Sequence, residues 1–169
     1  PLVNEHFRAR GVRILTPEQR ERLEEHVSGD DCAVIPAFGV PLPIDRRLRA
    51  IGCRIVDTTC GDALRLWRWA ERTAAEGFGI LIYGRARHDE TVVTKSRLDA
   101  AAADYVVVGN LDEARVFCDL LASGADDACF RAAFGPEATN ADSLAAFERT
   151  AQVSQTTMLY DDTMQVRDL

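Results

Sequence analysis

Long hydrophobic runs are absent from this sequence. No segment approaches the roughly 20 apolar residues that a membrane-spanning helix needs, and the start does not resemble a signal peptide. The five cysteines are an odd number and form no CxxC pair, which excludes a disulfide framework and a zinc ribbon. The net charge of −7 argues against a nucleic-acid partner. We therefore expect a cytoplasmic or plastid-stromal protein that binds neither membranes nor nucleic acid.

The composition is that of a globular protein. The 169 residues are 47% hydrophobic and 28% charged, which allows one domain or slightly more with a sizeable core. The chain begins at Pro1, without a methionine and inside an amphipathic stretch. We therefore expect it to be an excerpt of a longer polypeptide. Because the net charge is negative, an anionic substrate would have to be held by local features of the fold.

Short apolar runs alternate with helical patterns along the chain. The predicted strands are residues 12–15 (weak), 32–36, 53–56, 78–83, 105–108 and 151–154. The predicted helices are residues 17–26, 43–51, 62–75, 111–121, 143–149 and one that starts at residue 161. This alternation predicts an α/β fold with a parallel sheet flanked by helices. The stretch from about 122 to 142 is rich in Ala, Gly and Asp and predicts a partly helical surface insertion.

The reactive side chains concentrate in the loops that follow predicted strands. These loops are residues 37–40, 57–61, 84–91 and 155–157. In open parallel sheets, ligands bind at the carboxyl ends of the strands. We therefore expect Phe38, Cys60, His88 and Thr156 to lie together at one edge of the sheet.

Cys60 lies where a strand gives way to a helix. The partial positive charge of a helix N-terminus favours the thiolate form that metals and clusters bind. The alternative is a small buried residue that fills space, because free cysteines are often buried. The other four cysteines lie within strands, on a helix or in the insertion, and we expect them to be structural.

His88 is followed by two carboxylates, Asp89 and Glu90. An imidazole beside two carboxylates is suited to proton delivery. A solvated polar loop without a function is the alternative.

Several hydroxyls and two arginines near these loops could bind a phosphate group. The hydroxyls belong to Thr91, Thr94, Thr156 and Thr157, and the arginines are Arg85 and Arg87. Hydroxyl-rich turns at helix starts also occur simply as helix caps, so the two functions remain open for these residues.

At the same loops the sequence resembles the IspH/LytB family, and its plant and cyanobacterial branch in particular. Four separated motifs follow the family's order: AVIPAFGV at 33–40, DTTC at 57–60, HDETVVTKS at 88–96 and QTTML at 155–159. Residues 2–15 resemble the helix after the family's HN motif, so the resemblance spans nearly the whole chain. Phe38 stands where other members have His, and Gly61 where many have Pro.

The resemblance implies an iron–sulfur reductase that removes the hydroxyl of 4-hydroxy-3-methylbut-2-enyl diphosphate and yields isopentenyl and dimethylallyl diphosphate. This reaction is the last step of the non-mevalonate isoprenoid pathway. Cys60 would be one ligand of a [4Fe–4S] cluster whose other ligands lie outside this chain. Glu90 would be the catalytic proton donor, and His88, Thr156 and Thr157 would bind the substrate. An electron donor such as ferredoxin or flavodoxin is the implied partner.

The resemblance also implies a domain organisation. The family's fold consists of three similar α/β units around a central cluster. Residues 1–150 would then form the central unit, and residues 151–169 the start of the following one.

Two other functions remain open at this point. A non-catalytic α/β relative that binds a ligand or a partner could keep the fold after losing the cluster. A metal-free phosphoester hydrolase could use His88, Asp89 and Glu90 as its acid and base.

Overall fold

The computed structural model describes residues 2–169, except for the side chain of Leu2. The chain divides into two compact units. The first consists of the chain up to Val34 together with Pro43–Val56, and the second of Ile35–Leu42 together with Asp57–Leu169. The elements up to residue 57 are α1 Leu2–Arg8, α2 Pro17–Glu21, α3 Leu23–His26, β1 Cys32–Ile35, α4 Leu42–Ile51 and β2 Arg54–Asp57.

Strands β1 and β2 form a two-stranded sheet. The Arg54 N–H donates to the Asp31 carbonyl, and the Thr58 N–H donates to the Ile35 carbonyl, each at 3.1 Å. From the first bond to the second, the residue numbers increase on both strands, so the strands are parallel.

The first unit has a small apolar core, formed by Leu23, Leu48 and Cys53. Burial of Cys53, which is 8% exposed, agrees with the structural role predicted for it.

Two predictions for the start of the chain were wrong. Residues 12–15 are not a strand, and Arg13 instead bonds the His26 carbonyl and the Asp31 carboxylate, each at 2.7 Å. The predicted helix 17–26 is two short helices that meet at Arg22, whose φ of −112° and ψ of 50° interrupt the helical backbone.

The second unit contains a three-stranded parallel sheet with the order β4-β3-β5. Its strands are β3 Gly79–Tyr83, β4 Tyr105–Val108 and β5 Thr150–Ser154, and its helices are α5 Gly61–Ala75, α6 Asp89–Ala100, α7 Leu111–Ser123, α8 Asp127–Ala133, the 3₁₀ turn Leu144–Phe147 and α9 Tyr160–Arg167. The chain passes from β3 to β4 on one side and returns to β5 on the other. The strand order therefore reverses at the carboxyl end of β3, where open sheets bind their ligands.

Strand β3 is buried on both faces because apolar side chains pack on each side of the sheet. Ile80 and Ile82 pack in one apolar cluster, which includes Leu98 of α6. Leu81 and Tyr83 pack in another, which includes the phenylalanines of α7 and α8. The alternation of side chains along a strand produces these two faces, and a continuous apolar run is typical of such a strand.

The predicted surface insertion, about 122–142, contributes to the core. Phe130 of α8 is fully buried, so the expectation of a surface segment was wrong for this residue. The insertion also covers the outer edge of β4: the Val107 N–H donates to the Ala138 carbonyl at 2.7 Å, and Val106 forms an antiparallel bridge with Thr139. The edge of the sheet is thereby protected from pairing with another chain.

The predicted α/β fold with parallel strands flanked by helices is confirmed. The strands form two sheets, whereas the sequence suggested one. Strand β5, which we placed at the start of a following unit, pairs with β3 over residues 150–154. The arrangement of three such units stays a prediction. Within residues 2–169, no helix combines the length and the apolar character that crossing a bilayer requires.

Candidate active site

The centre of the candidate site is the contact between Glu90 and Thr156. Glu90 lies in the first turn of α6, directly after the loop that follows β3, and is 3% exposed. Thr156 follows β5. Its N–H donates to one carboxylate oxygen of Glu90 at 2.8 Å, and its hydroxyl donates to the other at 2.9 Å. Thr156, 66 positions from Glu90 in the sequence, therefore donates to both oxygens of this buried carboxylate.

His88 is the N-cap of α6. Its Nδ1 accepts a hydrogen bond from the Glu90 N–H at 3.3 Å. A neutral imidazole that accepts at Nδ1 carries its proton on Nε2. Nε2 makes no hydrogen bond within residues 2–169. His88 thus has a free N–H donor, and an anion bound beside the start of α6 could accept it.

Gln155 is a residue whose importance the sequence analysis missed. It is 5% exposed, and its side-chain oxygen accepts from the Arg85 N–H at 3.1 Å and from the Thr91 hydroxyl at 3.4 Å. Its amide nitrogen donates to the Thr157 hydroxyl. The only sequence signal was its position within the QTT segment.

The candidate phosphate ligands divide into two groups. Thr156 and Thr157 are exposed and can reach a ligand. Thr91 and Thr94 are buried; the Thr94 hydroxyl donates to the Glu90 carbonyl at 2.9 Å, so these two hydroxyls serve the interior of the protein.

The two arginines near the His88 loop are placed differently from each other. Arg87 binds the Glu137 carboxylate through Nε at 2.7 Å and Nη2 at 2.6 Å, so its guanidinium is already paired. Arg85 lies with Gly84 and Asn110 at the wall of a cavity of about 350 Å³ at the carboxyl ends of β3 and β4. Its backbone N–H is the group that contacts Gln155.

Cys60 is the N-cap of α5. Its Sγ accepts a hydrogen bond from the Ala63 N–H at 3.3 Å, and its own N–H donates to the Ala37 carbonyl at 2.8 Å. The side chain is half-buried and packs with Trp67 and Val93. The sulfur therefore lies at the N-terminus of α5 with one backbone donor directed at it.

Trp67 supports the loop that carries Phe38. It is 4% exposed, and the Arg97 guanidinium lies 4.2 Å from the centre of its ring. A Cβ on Gly39 would overlap Cη2 of Trp67, so only glycine lets the loop approach this closely.

A comparison with known families identifies the group to which these loops belong. Residues 1–169 match the family model for LytB protein. This chain belongs to the LytB family. The resemblance of its four motifs to that family is thereby confirmed.

The chain is similar to LytB relatives of cyanobacteria. One is the 4-hydroxy-3-methylbut-2-enyl diphosphate reductase of Gloeobacter violaceus, 37% identical over 174 residues that cover 100% of this chain and 41% of that protein. Another, of the same name, is from Synechococcus sp. (strain WH7803), 32% identical over 98% of this chain and 41% of that protein. The chain thus spans about two fifths of the length of these relatives.

Two solved structures share the LytB fold. One is (E)-4-hydroxy-3-methyl-but-2-enyl diphosphate reductase, the terminal enzyme of the non-mevalonate pathway, with a TM-score of 0.62 and 22% identity over 90% of this chain and 48% of that chain. The other is the reductase from Plasmodium falciparum, with a TM-score of 0.60 and 16% identity over 86% of this chain and 37% of that chain. At such identities the likeness concerns the fold.

The LytB chain offers one cysteine where a cluster ligand is expected. No group of three or more His, Cys, Asp or Glu side chains within residues 2–169 is arranged to hold a metal ion. Cys60, with its half-buried sulfur and its N–H donor, fits a single thiolate ligand. A [4Fe–4S] cluster needs three or four ligands, so Cys60 fits as one member of a larger set.

Proposed function

We propose that this chain is part of a reductase that converts 4-hydroxy-3-methylbut-2-enyl diphosphate to isopentenyl and dimethylallyl diphosphate. The observation that carries the proposal is the buried Glu90 carboxylate, to which the exposed Thr156 donates two hydrogen bonds. Glu90 lies two residues after His88, whose Nε2–H is free. Relatives that carry the reductase name at 37% and 32% identity support it.

The reaction requires protons as well as electrons. An allylic alcohol takes up two electrons and two protons, its C–O bond breaks, and the products are the deoxygenated diphosphate and water. Hydroxide is a poor leaving group, so a proton has to reach the departing oxygen as the bond breaks.

Glu90 supplies this proton, and Thr156 connects it to the substrate side. Glu90 is almost fully buried, whereas Thr156 is exposed. The Thr156 hydroxyl is therefore the polar group through which the Glu90 carboxylate can exchange a proton with a bound ligand. The backbone N–H of Thr156 holds the carboxylate in place during the exchange.

His88 and Thr157 bind the diphosphate. The Nε2–H of His88 and the exposed hydroxyl of Thr157 are neutral donors that suit phosphate oxygens. The net charge of the chain is −7 and repels an anion. A site for the diphosphate therefore depends on local donors such as these two.

Cys60 provides one thiolate of a [4Fe–4S] cluster, with the remaining ligands outside these 169 residues. Such a cluster, when bound, supplies the electrons and a Lewis-acidic iron for the substrate hydroxyl. The electrons come from a donor such as ferredoxin or flavodoxin, and a cytoplasmic or stromal location fits such a donor.

The geometry weighs against the phosphoester hydrolase that the sequence left open. A histidine that acts as a general base needs an unprotonated ring nitrogen that is open to the substrate. The Nδ1 of His88 instead accepts the Glu90 N–H, and the Glu90 carboxylate faces Thr156.

The decisive experiment uses the full-length protein, prepared without oxygen, with the allylic diphosphate and a chemically reduced electron donor. We expect both five-carbon diphosphates as products. Glu90→Gln should lower kcat by roughly 10²–10⁴-fold, the usual value of general acid catalysis. The amide can still accept the Thr156 N–H and can donate to its hydroxyl, so the fold and the cluster absorbance should persist.

The matched control is Glu113→Gln. Glu113 also lies in the first turn of a helix and bonds a backbone N–H, that of Gly109, at 2.7 Å, but it is exposed and does not contact Thr156. Its kcat should remain at the wild-type value. Wild-type protein that carries the cluster and releases no product would refute the proposed function.

A further inference from the structure

Gln155 connects the two segments that form the Glu90–Thr156 contact. Its side-chain oxygen accepts from the Thr91 hydroxyl at 3.4 Å, next to Glu90 in α6, and from the Arg85 N–H at 3.1 Å. Its own backbone N–H donates to the Tyr83 carbonyl at 2.8 Å, at the end of β3. The residue after it is Thr156. Gln155 therefore precedes one partner of the Glu90–Thr156 contact in sequence and bonds the neighbour of the other partner.

The space around Gln155 is closely filled. A Cβ on Gly84 would lie 2.9 Å from Cβ of Gln155, 3.0 Å from Oγ of Thr91 and 3.1 Å from Oε1 of Gln155. These distances are shorter than van der Waals contact. Gly84 has no positive φ, so this position needs glycine for space. The absence of a side chain allows Gln155 to reach the Arg85 N–H.

A primary amide suits this position because it accepts and donates at once. The oxygen has two donors, and the nitrogen donates to the Thr157 hydroxyl. With an apolar side chain here, the partly buried Arg85 N–H would lose its side-chain acceptor, which is costly. The extensive hydrogen bonding of a 5% exposed side chain indicates a locked conformation.

We infer that Gln155 is a positioning residue, which holds the backbone at Thr156 and the first turn of α6 at the separation that the Glu90–Thr156 proton contact requires. Gln155 acts through its neighbours and does not itself contact the reacting atoms. The effect on kcat rests on the proposed function, whereas the effect on local structure does not.

The test compares Gln155→Met with Gln152→Met in the full-length protein. The control makes the same replacement three residues earlier, in β5. The Gln152 side chain bonds the Ser154 hydroxyl at 3.2 Å and the Thr163 carbonyl at 3.0 Å, and neither partner belongs to the His88 loop. Amide hydrogen exchange measures the local structure. We expect faster exchange at Arg85 and Thr156 in Gln155→Met, and wild-type exchange at these two amides in Gln152→Met.

Steady-state kinetics provide the second measurement. Small displacements of catalytic groups reduce rates by as much as about 100-fold, so kcat should fall steeply in Gln155→Met. KM should rise by a smaller factor than kcat falls, because Gln155 bonds the Thr157 hydroxyl, whereas the bond between His88 and the Glu90 N–H does not involve Gln155. A variant that is only less stable would show a lower active fraction without this change in the kcat of folded protein.

Gln155→Glu serves as the conservative rescue. Its carboxylate can accept from Arg85, Thr91 and, after rotation of the hydroxyl, Thr157. Exchange at Arg85 and Thr156 should return toward the wild-type rate, and kcat should recover in part.

Unchanged exchange at Arg85 and Thr156 in Gln155→Met would overturn the inference, as would an equal change in Gln152→Met. Altered exchange together with a wild-type protein that cannot reduce the allylic diphosphate would leave the positioning role intact and refute the proposed function instead.

Discussion

His88 combines two tasks at one residue. Its Nδ1 caps α6, and its Nε2–H is free for a ligand. Most N-caps are Ser, Thr, Asp or Asn, whose short side chains do not carry a donor as far from the backbone as the Nε2–H of a histidine. The two tasks can be separated by substitution.

We expect His88→Asn to keep the cap and lose the ligand contact. Asn is a strong N-cap, so the free energy of unfolding should match the wild type. A hydrogen bond to a charged group is worth about 1.5–3 kcal/mol, so the Kd for inorganic diphosphate should rise by roughly 10- to 100-fold in the full-length protein. Calorimetric titration and urea unfolding give the two values.

His88→Ala is the companion variant, and it should lose both tasks. Its free energy of unfolding should fall by about 1 kcal/mol through loss of the cap. Equal affinity for diphosphate in His88→Asn and wild type would contradict the binding role of Nε2.

At the scale of elements, α6 is unusual because its inner face is polar. Its buried residues include Glu90, Thr91 and Thr94 beside Val93 and Leu98. An apolar stripe at helical spacing is therefore missing, and for this reason α6 is absent from the predicted helices. Two of these inward polar side chains, Glu90 and Thr91, bond the segment that follows β5.

Helix α5 packs against the loop that carries Phe38, through Trp67. Gly39 has a φ of +76° and lies against this ring. Gly39→Ala should combine backbone strain with overpacking, which typically costs about 1–3 kcal/mol by itself. Gly124→Ala is the control, because Gly124 has a φ of +63° and a Cβ at this position would have nothing within 4 Å.

Both alanine variants suffer the strain of a positive φ, about 1–2 kcal/mol. Gly39→Ala should therefore unfold in urea with a free energy roughly 1–3 kcal/mol lower than Gly124→Ala. Equal losses in the two variants would show that the loop can move away from Trp67 without cost.

The junction of α6 and β4 predicts a dependence of stability on alkaline pH. Burial, and then the nearby Asp99 carboxylate, raise the pKa of Tyr105 from 10.0 to about 12. Between these values the folded state keeps a proton that the unfolded state has lost. The stabilisation is therefore complete below about pH 10 and disappears as the pH rises toward about 12.

Urea unfolding across this range should show the loss of stability, and Tyr105→Phe should show a shallower loss. Burial also raises the pKa of Tyr83, so a residual slope should remain in the variant. Identical slopes in wild type and Tyr105→Phe would mean that the Tyr105 hydroxyl does not contribute.

At the scale of the whole molecule, the number of proposed cluster ligands within these 169 residues limits what the chain can bind by itself. The 169-residue chain, expressed alone and without oxygen, should fold and hold no stoichiometric [4Fe–4S] cluster, because Cys60 is one ligand where three or four are needed. Iron and sulfide analysis gives the answer. A full cluster on this chain would mean that other thiols, such as the exposed Cys32, had been recruited.

In the full-length protein, Cys60→Ser should lose the cluster absorbance and the activity together. Cys129→Ser is the control, because Cys129 is exposed on α8 in the insertion. Its iron content should equal that of the wild type. Wild-type iron content in Cys60→Ser would remove Cys60 from the ligand set.

Local patterns in the sequence determined the strands and the loops that carry the chemistry. The run Tyr105–Val108 is a strand with the predicted bounds, because a tyrosine followed by three β-branched valines is typical of a buried parallel strand. The motifs of the LytB family also lie in contiguous segments, so Cys60, His88 and Glu90 could be singled out before the structure was known.

Contacts between distant segments were decided by the tertiary structure alone. The bonds of Thr156 to Glu90 and of Arg87 to Glu137 join residues 66 and 50 positions apart, and no local pattern encodes such pairings. The polar inner face of α6 and the role of Gln155 depend on which groups the folded chain buries together. The sequence supplies the donors and acceptors, but the free energy of burying them depends on partners that only the folded chain brings within hydrogen-bond distance.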